Sequence, residues 1–552
     1  MNLSGLVVQL LNGLAGASSL FLVSAGLSLI FGVTRIVNFA HGSFYMVGIY
    51  VAYALVERLD WLGFWVAVPV AALVVGLLGV AVEMTVLRRI YRAPELFQLL
   101  ATFALVLVIK DAMLWLFGPE ELLGPRAPGM KGAVAILGRN FPTYDLFLIV
   151  VGPIVLGALW LLFTRTRWGT LVRAATQDRE MVGALGVNQA WLFTAVFALG
   201  AALAGLGGAL QLPREPANLE MDLNIIGSAF VVVVVGGMGS IPGAFVAALL
   251  VSEIKAVCIW LGLVDLFGLE ISFSKLTLVA EFVVMAVVLV VRPWGLMGKP
   301  QAAPRVMGEA ELPIRPADRT ALGVAAFVVL ALLSLPAVSS SDAYAVVLAI
   351  DLLVASLFAA SLHFIMGPAG MHSFGHAAYF GLGAYGAALA VRKLGLPMEA
   401  ALVVGPLAGA VGALIVGWFC VRLSGVYLAM LTLAFAQIVW AGVYQWDAFT
   451  GGSNGLTGVW PAPWLAGKQA YYYLTLALVL LALWLLRRLL FSPFGYAMRA
   501  GRDSPLRADA IGIDVKRQQW VAFAIAGGFA GVGGGVVAFF SGGMSAPKPG
   551  GG

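Results

Sequence analysis

The sequence predicts an all-α protein that crosses a membrane many times and is built from two tandem, similarly oriented repeats. Three observations lead there. Apolar residues, counted with Gly and without Tyr, make up about 71% of the 552-residue chain and charged residues only 11%, against about 45–50% on the same count and about 25% in soluble domains. The apolar residues gather in windows long enough to span a hydrocarbon core of about 30 Å. The first half of the chain, laid over the second, coincides with it at positions that composition explains poorly. A soluble globule has no way to bury so much apolar surface and keep a wettable exterior. Backbone amides in lipid have no water to bond, and the alternation of a barrel strand is absent, so the windows are expected to be helical.

The first eighteen residues, MNLSGLVVQLLNGLAGAS, carry no basic n-region, so they do not read as a cleaved signal peptide. The apolar run from Leu6 to about Phe31 is the first expected span, and others follow near 42–56, 62–86, 98–118, 143–163 and 190–212. The stretch 221–264 is too long for one helix, and its GGMGSIPG at 236–243 reads as a turn that divides it. A span at 275–291 completes about nine helices in a first domain, 1–296. The polar segment 297–319, with Pro300, Pro304, Pro313 and Pro316, reads as a cytoplasmic linker. A second domain, 320–541, holds about seven more spans at 320–337, 344–366, 376–391, 398–421, 426–445, 471–490 and 518–541, before a Gly/Pro-rich tail at 542–552.

Basic residues set the expected orientation. Arg88, Arg89 and Arg92 share one loop, Arg165, Arg167, Arg173 and Arg179 a second, Arg292 and Lys299 a third, and Arg487, Arg488, Arg499, Arg502, Arg507, Lys516 and Arg517 a fourth. The positive-inside rule places all four in the cytoplasm. The loop at 213–224 then lies outside, and three crossings return the chain to Arg292 only if GGMGSIPG turns on the inside. The net charge of +6 is too small and too scattered for a nucleic-acid partner. Cys258 and Cys420 sit in apolar stretches and support neither a disulfide framework nor a thiolate metal site.

Internal repetition is the next signal. At an offset of 335, Leu27, Ile30, Gly32, Phe39, His41, Gly48, Tyr50 and Ala52 fall on Leu362, Ile365, Gly367, Phe374, His376, Gly383, Tyr385 and Ala387 without a gap. At an offset of 326, eleven identities join 169–208 to 495–534, among them Gly169/Gly495, Arg173/Arg499, Ala174/Ala500, Ala184/Ala510 and Gly186/Gly512. Shared small-residue bias explains Gly205–Gly208 over Gly531–Gly534 but poorly explains the paired Arg and His. Parallel repeats of this kind suggest a pseudo-twofold axis along the membrane normal.

On these residues the chain resembles the permeases of the branched-chain amino acid ABC importers. GLSLIFGVTRIVNFAHGSFYMVGIYVA, RAATQDREMVGALGV and GGMGSIPGA are similar to the first permease subunit. From about residue 320, SFGHAAYFGLGAY, LSGVYLAMLTLAFAQI and RAGRDSPLRADAIGI are similar to the second. The whole therefore resembles a natural fusion of the two. The counterpart of GGMGSIPGA and its two following spans would begin beyond residue 552, so the second half is expected to be C-terminally truncated relative to the family. The resemblance implies a multi-pass protein of the bacterial inner membrane that translocates leucine, isoleucine and valine. It also implies two cytoplasmic ABC ATPase subunits, a periplasmic substrate-binding protein, a small-molecule substrate and membrane lipid as partners, with no cofactor. Urea, short amides and other small organic solutes stay open as substrates.

The residues add constraints of their own. No GxxxxGK[ST] occurs, so an ATP-driven reading puts the nucleotide on another polypeptide. No nucleophile–base pair or metal-ligand cluster suggests an enzyme. An ion-coupled secondary transporter is the rival reading, and its candidates are Lys110, Asp111, Glu253, Lys255, Glu281 and Asp351, each of which could instead pair between helices. A non-transporting membrane scaffold is the third reading.

The loops 164–189 and 490–517 are basic, with interspersed acids and helix-capable stretches around a central glycine. The resemblance implies that each forms a coupling helix docked on an ATPase. Gly169, Arg173, Ala174, Asp178, Arg179, Glu180, Ala184, Leu185 and Gly186 carry the first, with charged rim and apolar knob. Gly495, Arg499, Ala500, Asp503, Arg507, Asp509, Ala510, Ile511 and Gly512 carry the second. Asn38, His41, Ser373 and His376, with His372, lie where one helix gives way to the next, as gate residues or as caps of helix termini. His363 has no counterpart and reads as structural. The loop 446–470, with Trp446, Trp460 and Trp464, is either a binding-protein contact or an interface anchor.

Overall fold

The computed structural model describes residues 3–58, 63–91, 93, 95–266, 269–298, 316–338 and 343–544. Every apolar window named above holds a helix, and thirteen helices among the described residues are long and apolar enough to cross a membrane. The chain divides into two compact units, Met1–Pro300 and Gln301–Gly552. The greater part of the expected linker, 299–315, lies outside the described residues.

In the first unit α1 (Leu3–Thr34), α2 (His41–Arg58) and α3 (Gly63–Val82) are followed by a π-helical turn, Glu83–Leu87, and α4 (Glu95–Phe117). A hairpin, β1 (Ala133–Ile136) and β2 (Arg139–Pro142), leads into α5 (Thr143–Arg165). Two short helices, α6 (Arg167–Gln177) and α7 (Arg179–Ala184), precede α8 (Gln189–Gln211). Next come α9 (Met221–Gly236) and α10 (Ile241–Leu261), then the hairpin β3 (Leu263–Leu266) and β4 (Leu269–Ser272), and finally α11 (Phe273–Val291). The division of 221–264 falls at Gly237 and Gly239, whose φ of +100° and +85° a side-chain-bearing residue rarely adopts. Ser240 then caps α10, its Oγ accepting from the Gly243 amide at 3.1 Å.

The second unit runs α12 (Arg319–Val338), α13 (Ala343–Met366), α14 (His376–Leu394), α15 (Met398–Cys420) and α16 (Gly425–Gln445), followed by β5 (Leu456–Thr457) and α17 (Lys468–Leu490). The short α18 (Pro493–Asp503) and α19 (Pro505–Ala510) precede α20 (Val515–Phe540) and β6 (Gly543–Met544). Sequence reading puts 542–552 in a Gly/Pro-rich tail, but Gly543 and Met544 pair antiparallel with Thr457 and Leu456. The strands are too short for periodicity to announce them.

The repeat is visible in the helix starts. His41 and His376 open α2 and α14, and Gly63 and Met398 open α3 and α15, each pair 335 positions apart. The starts of α6, α7 and α8 lie 326 positions before those of α18, α19 and α20. The central helix is also shared: α8 packs on α1, α2 and α3, and α20 packs on α13, α14 and α15. Glycine makes that approach possible. A Cβ at Gly208 would meet the Tyr45 carbonyl, and one at Gly534 the carbonyl of Phe380, the position equivalent to Tyr45. Gly48 meets the Gly205 backbone and Gly383 the Gly531 backbone in the same way. Close backbone packing is how membrane helices gain dispersion contacts without a hydrophobic drive.

Faces that would meet solvent in a soluble protein are apolar. Only 17% of the hydropathic window of α4 and 6% of that of α12 is buried, and Phe97, Leu100, Val108 and Phe327 stand exposed. These faces suit lipid. Around α1 the first unit is dense, with 89% of its window buried, against 39% for α13.

Candidate functional site

Each unit turns back on itself through two short helices, and the local chemistry of that turn is the same in both. Thr166 and Ser492, in extended backbone, cap α6 and α18 by accepting from the Gly169 amide at 3.0 Å and the Gly495 amide at 3.4 Å. Gly169 and Gly495 are buried, and a Cβ there would strike the Leu162–Phe163 backbone or the Leu489 and Leu490 carbonyls. They let the chain double back against the end of the preceding span. Gly186 and Gly512, with φ of +83° and +87°, end α7 and α19 in the left-handed region. Asn188 and Asp514 then cap α8 and α20 through the Trp191 amide at 3.1 Å and the Arg517 amide at 3.0 Å.

The expected docking residues divide into exposed and internally engaged ones. Ala184 and Ala510 are exposed, and beside them Leu185 is 76% and Ile511 75% exposed at equivalent positions. Arg173 is exposed. Arg499 folds back instead: its Nε and Nη2 donate long, 3.4 Å bonds to the Gly495 and Leu490 carbonyls, and its guanidinium lies 4.3 Å over the Tyr496 ring. Asp178 is an N-cap, accepting from the Met181 amide at 2.9 Å. Asp503 pairs with Arg502 at 2.8 Å, and Arg502 also donates to the Gly367 carbonyl at 3.1 Å, tying α18 to the turn before α14. Ala174 and Ala500 are half-buried spacers, while Arg507 and Asp509 are exposed. The side chains of Arg179 and Glu180 lie outside the described residues.

The second cluster surrounds the starts of α2 and α14. Thr34 ends α1 with its hydroxyl donating to the Ile30 carbonyl at 2.8 Å, and Arg35 turns the chain at φ +58°. At the position equivalent to Arg35 stands Gly370, at φ +67°. Asn38 is fully buried, and its Oδ1 accepts from the Ala40 amide at 3.1 Å, so it shapes the turn into α2. His41, also fully buried, places Nε2 2.9 Å from the Val23 carbonyl of α1. A carbonyl only accepts, so Nε2 carries the proton. His376 places Nε2 2.9 Å from Ser361 Oγ, whose hydroxyl donates to the Phe358 carbonyl at 2.7 Å. Phe358 is the counterpart of Val23, so a serine relays in one unit what Gly26 lets His41 reach directly in the other. Ser373 is buried, and the adjoining Phe374 amide donates to Thr432 Oγ1 at 3.0 Å. His41 Nδ1, His376 Nδ1, Asn38 Nδ2 and Ser373 Oγ are buried without a protein partner, suited to ordered water.

Sequence reasoning missed Thr166, Ser492 and Ser361. The first two carry a signal, a Ser or Thr three residues before a glycine at the 326 offset. Ser361 does not, since Gly26 stands at its counterpart. Among the intramembrane ionisable residues, Lys255 pairs with Glu281 at 2.7 Å. Lys110, Asp111 and Asp351 make no ion pair among the described residues, and Glu253 Oε1 is buried without a partner.

Comparison with known proteins agrees with this duplicated architecture. Residues 9–292 and residues 344–549 each match the family described as branched-chain amino acid transport system / permease component. The chain is 28% identical over 305 residues to the high-affinity branched-chain amino acid transport system permease protein BraD of Pseudomonas aeruginosa, covering 53% of this chain and 96% of that protein. It is 24% identical over 305 residues to LivH of Escherichia coli, with the same coverage. It is also 29% identical over 201 residues to LivM of Escherichia coli, covering 31% of this chain and 47% of LivM. The LivM match spans about half the length of that relative, and no solved structure matches. The chain belongs to the branched-chain amino acid transport permease family and carries that family's domain twice, in the manner of two fused permeases.

Proposed function

We propose that this chain is the transmembrane component of an ATP-binding cassette importer that moves leucine, isoleucine and valine across a bacterial inner membrane. In this reading two cytoplasmic ATPase subunits dock on α6–α7 and α18–α19, and a periplasmic binding protein delivers the amino acid. Family membership supports the transport role, and the relatives carry branched-chain amino acids in their names. The single observation that favours motor docking is the pair of exposed apolar knobs, Leu185 and Ile511, on identical helix–turn–glycine frames 326 positions apart. Arg173 adds a charged rim to the first knob, while Arg499 serves the second by fixing its frame. His41 and His376 hold α2 and α14 against the preceding helices, so they act on the path by positioning those helices.

Proteoliposomes holding the chain with its ATPases and binding protein test this. The expected result is accumulation of labelled leucine that requires internal-facing ATP and both partners. Accumulation driven by a proton or sodium gradient alone would replace this reading with ion-coupled transport, for which the unpartnered Glu253 carboxylate oxygen would be the first residue to examine.

A further inference from the structure

A crevice of about 550 Å³ lies between the C-terminal end of α15 and the first turn of α20, lined by Trp418, Val421, Arg422, Asp514, Lys516, Arg517 and Trp520. Its construction starts at Gly417, where a Cβ would sit 3.2 Å from Trp520 Cδ1, so the two helices close just beneath it. Trp520 is fixed as a wall, its Nε1 donating to the Leu414 carbonyl at 2.7 Å. Trp418 forms the opposite wall, 45% exposed, with the Arg422 guanidinium 3.9 Å over its ring.

The charge in this crevice is unbalanced. Arg422, Lys516 and Arg517 are exposed and form no ion pair among the described residues. The one acid, Asp514, has an oxygen engaged by the Arg517 amide as the α20 cap. The same corner of the first unit is built in the opposite way. At the positions equivalent to Trp418 and Trp520 stand Glu83 and Thr194. There the buried Glu83 carboxylate takes bonds from Arg88 at 3.1 Å, Tyr91 at 3.0 Å and Thr194 at 2.7 Å. Lys516 and Arg517 replace Ala190 and Trp191, and Arg422 replaces Leu87. One repeat seals the corner around an internal carboxylate. The other opens it: Trp418 takes the place of the internal carboxylate, and Leu423 and Ser424 take the places of Arg88 and Arg89. Arg422, Lys516 and Arg517 there face a single acid, Asp514, at the position of Asn188.

We infer that the crevice binds the phosphodiester headgroup of an anionic phospholipid. Cations gathered at the ends of membrane helices recognise such headgroups, and tryptophan favours the interfacial depth at which they lie. A freely diffusing phosphate shares the charge chemistry, but it has no use for the two indole walls and Val421. Those suit the glycerol and the start of the acyl chains.

Native mass spectrometry of the full chain released from detergent, with dioleoylphosphatidylglycerol or dioleoylphosphatidylcholine added, tests the site. Retention of phosphatidylglycerol over phosphatidylcholine is expected, and R422Q/K516Q should weaken it about fivefold for each charge removed. R89Q, which removes an exposed charge elsewhere, should leave retention unchanged. Equal retention of the two lipids by the unaltered chain would overturn the assignment without recourse to any variant, as would undiminished selectivity in R422Q/K516Q. Displacement of the lipid by millimolar inorganic phosphate would identify a free-anion site and overturn the lipid reading.

Discussion

Ile511 offers the sharpest test of motor docking. Its side chain is 75% exposed at the end of α19, so it contributes little to the fold and has its apolar surface free for a partner. Ile511→Ala removes three carbons, and at about 0.8 kcal/mol per buried methylene this is about 2.4 kcal/mol for complete burial. Only the exposed three quarters is newly covered on docking, which leaves about 1.8 kcal/mol, or roughly 20-fold in affinity for the ATPase. Leu185, 76% exposed, should behave alike at α7. The measurement is binding of the purified ATPase to the chain in nanodiscs, beside a thermal melt. The melt should hold to within about 0.5 kcal/mol, as for other surface substitutions. Unchanged ATPase affinity in both Leu185→Ala and Ile511→Ala, with the fold intact, would refute the docking argument.

Four further outcomes are expected. Gly534→Leu should prevent α20 from seating against the Phe380 carbonyl and cost about 3 kcal/mol or more, read as loss of monodisperse protein after extraction. His376→Ala and Ser361→Ala should be coupled by about 1 kcal/mol in a double-mutant cycle, because Ser361 relays His376 to α13; strict additivity of the melting shifts would contradict the relay. Glu83→Gln should destabilise by about 2 kcal/mol, the Arg88 side chain being 37% exposed and so partly compensated by water; an unchanged melt would mean that the carboxylate charge contributes nothing. Arg35→Gly should stabilise by about 1 kcal/mol by relieving a left-handed residue, as Gly370 already does in the second unit, and a lower melting temperature would show that the Arg35 side chain holds the turn.

Much of this architecture was legible because lipid imposes one backbone solution. Once the windows were apolar, helices followed, and the break at Gly237–Gly239 followed from length and glycine together. The paired turns could be read because Arg173/Arg499 and Gly186/Gly512 repeat at one offset. What the repeat hid was divergence within equal frames. Arg499 lies over Tyr496, a ring whose counterpart in the first unit is Thr170, so equal arginines end in unequal places. The hydrogen-bond partner of His376 was illegible for a related reason: Ser361 replaces a glycine, and only the packing of α13 beside α14 shows that its hydroxyl fills the gap. The hairpins carried too few residues for periodicity to register.

The glycine contacts have a mechanical consequence. Where Gly208 lies on Tyr45 and Gly534 on Phe380, main chain presses on main chain with no rotatable group between them. Such a seam cannot loosen by degrees, because there is no side chain to swing aside, and the two helices must travel as one stiff plate or separate altogether. Any alternation between open and shut must therefore bend elsewhere, and Thr166 and Ser492, each the single extended residue between a long helix and its short successor, are the natural creases.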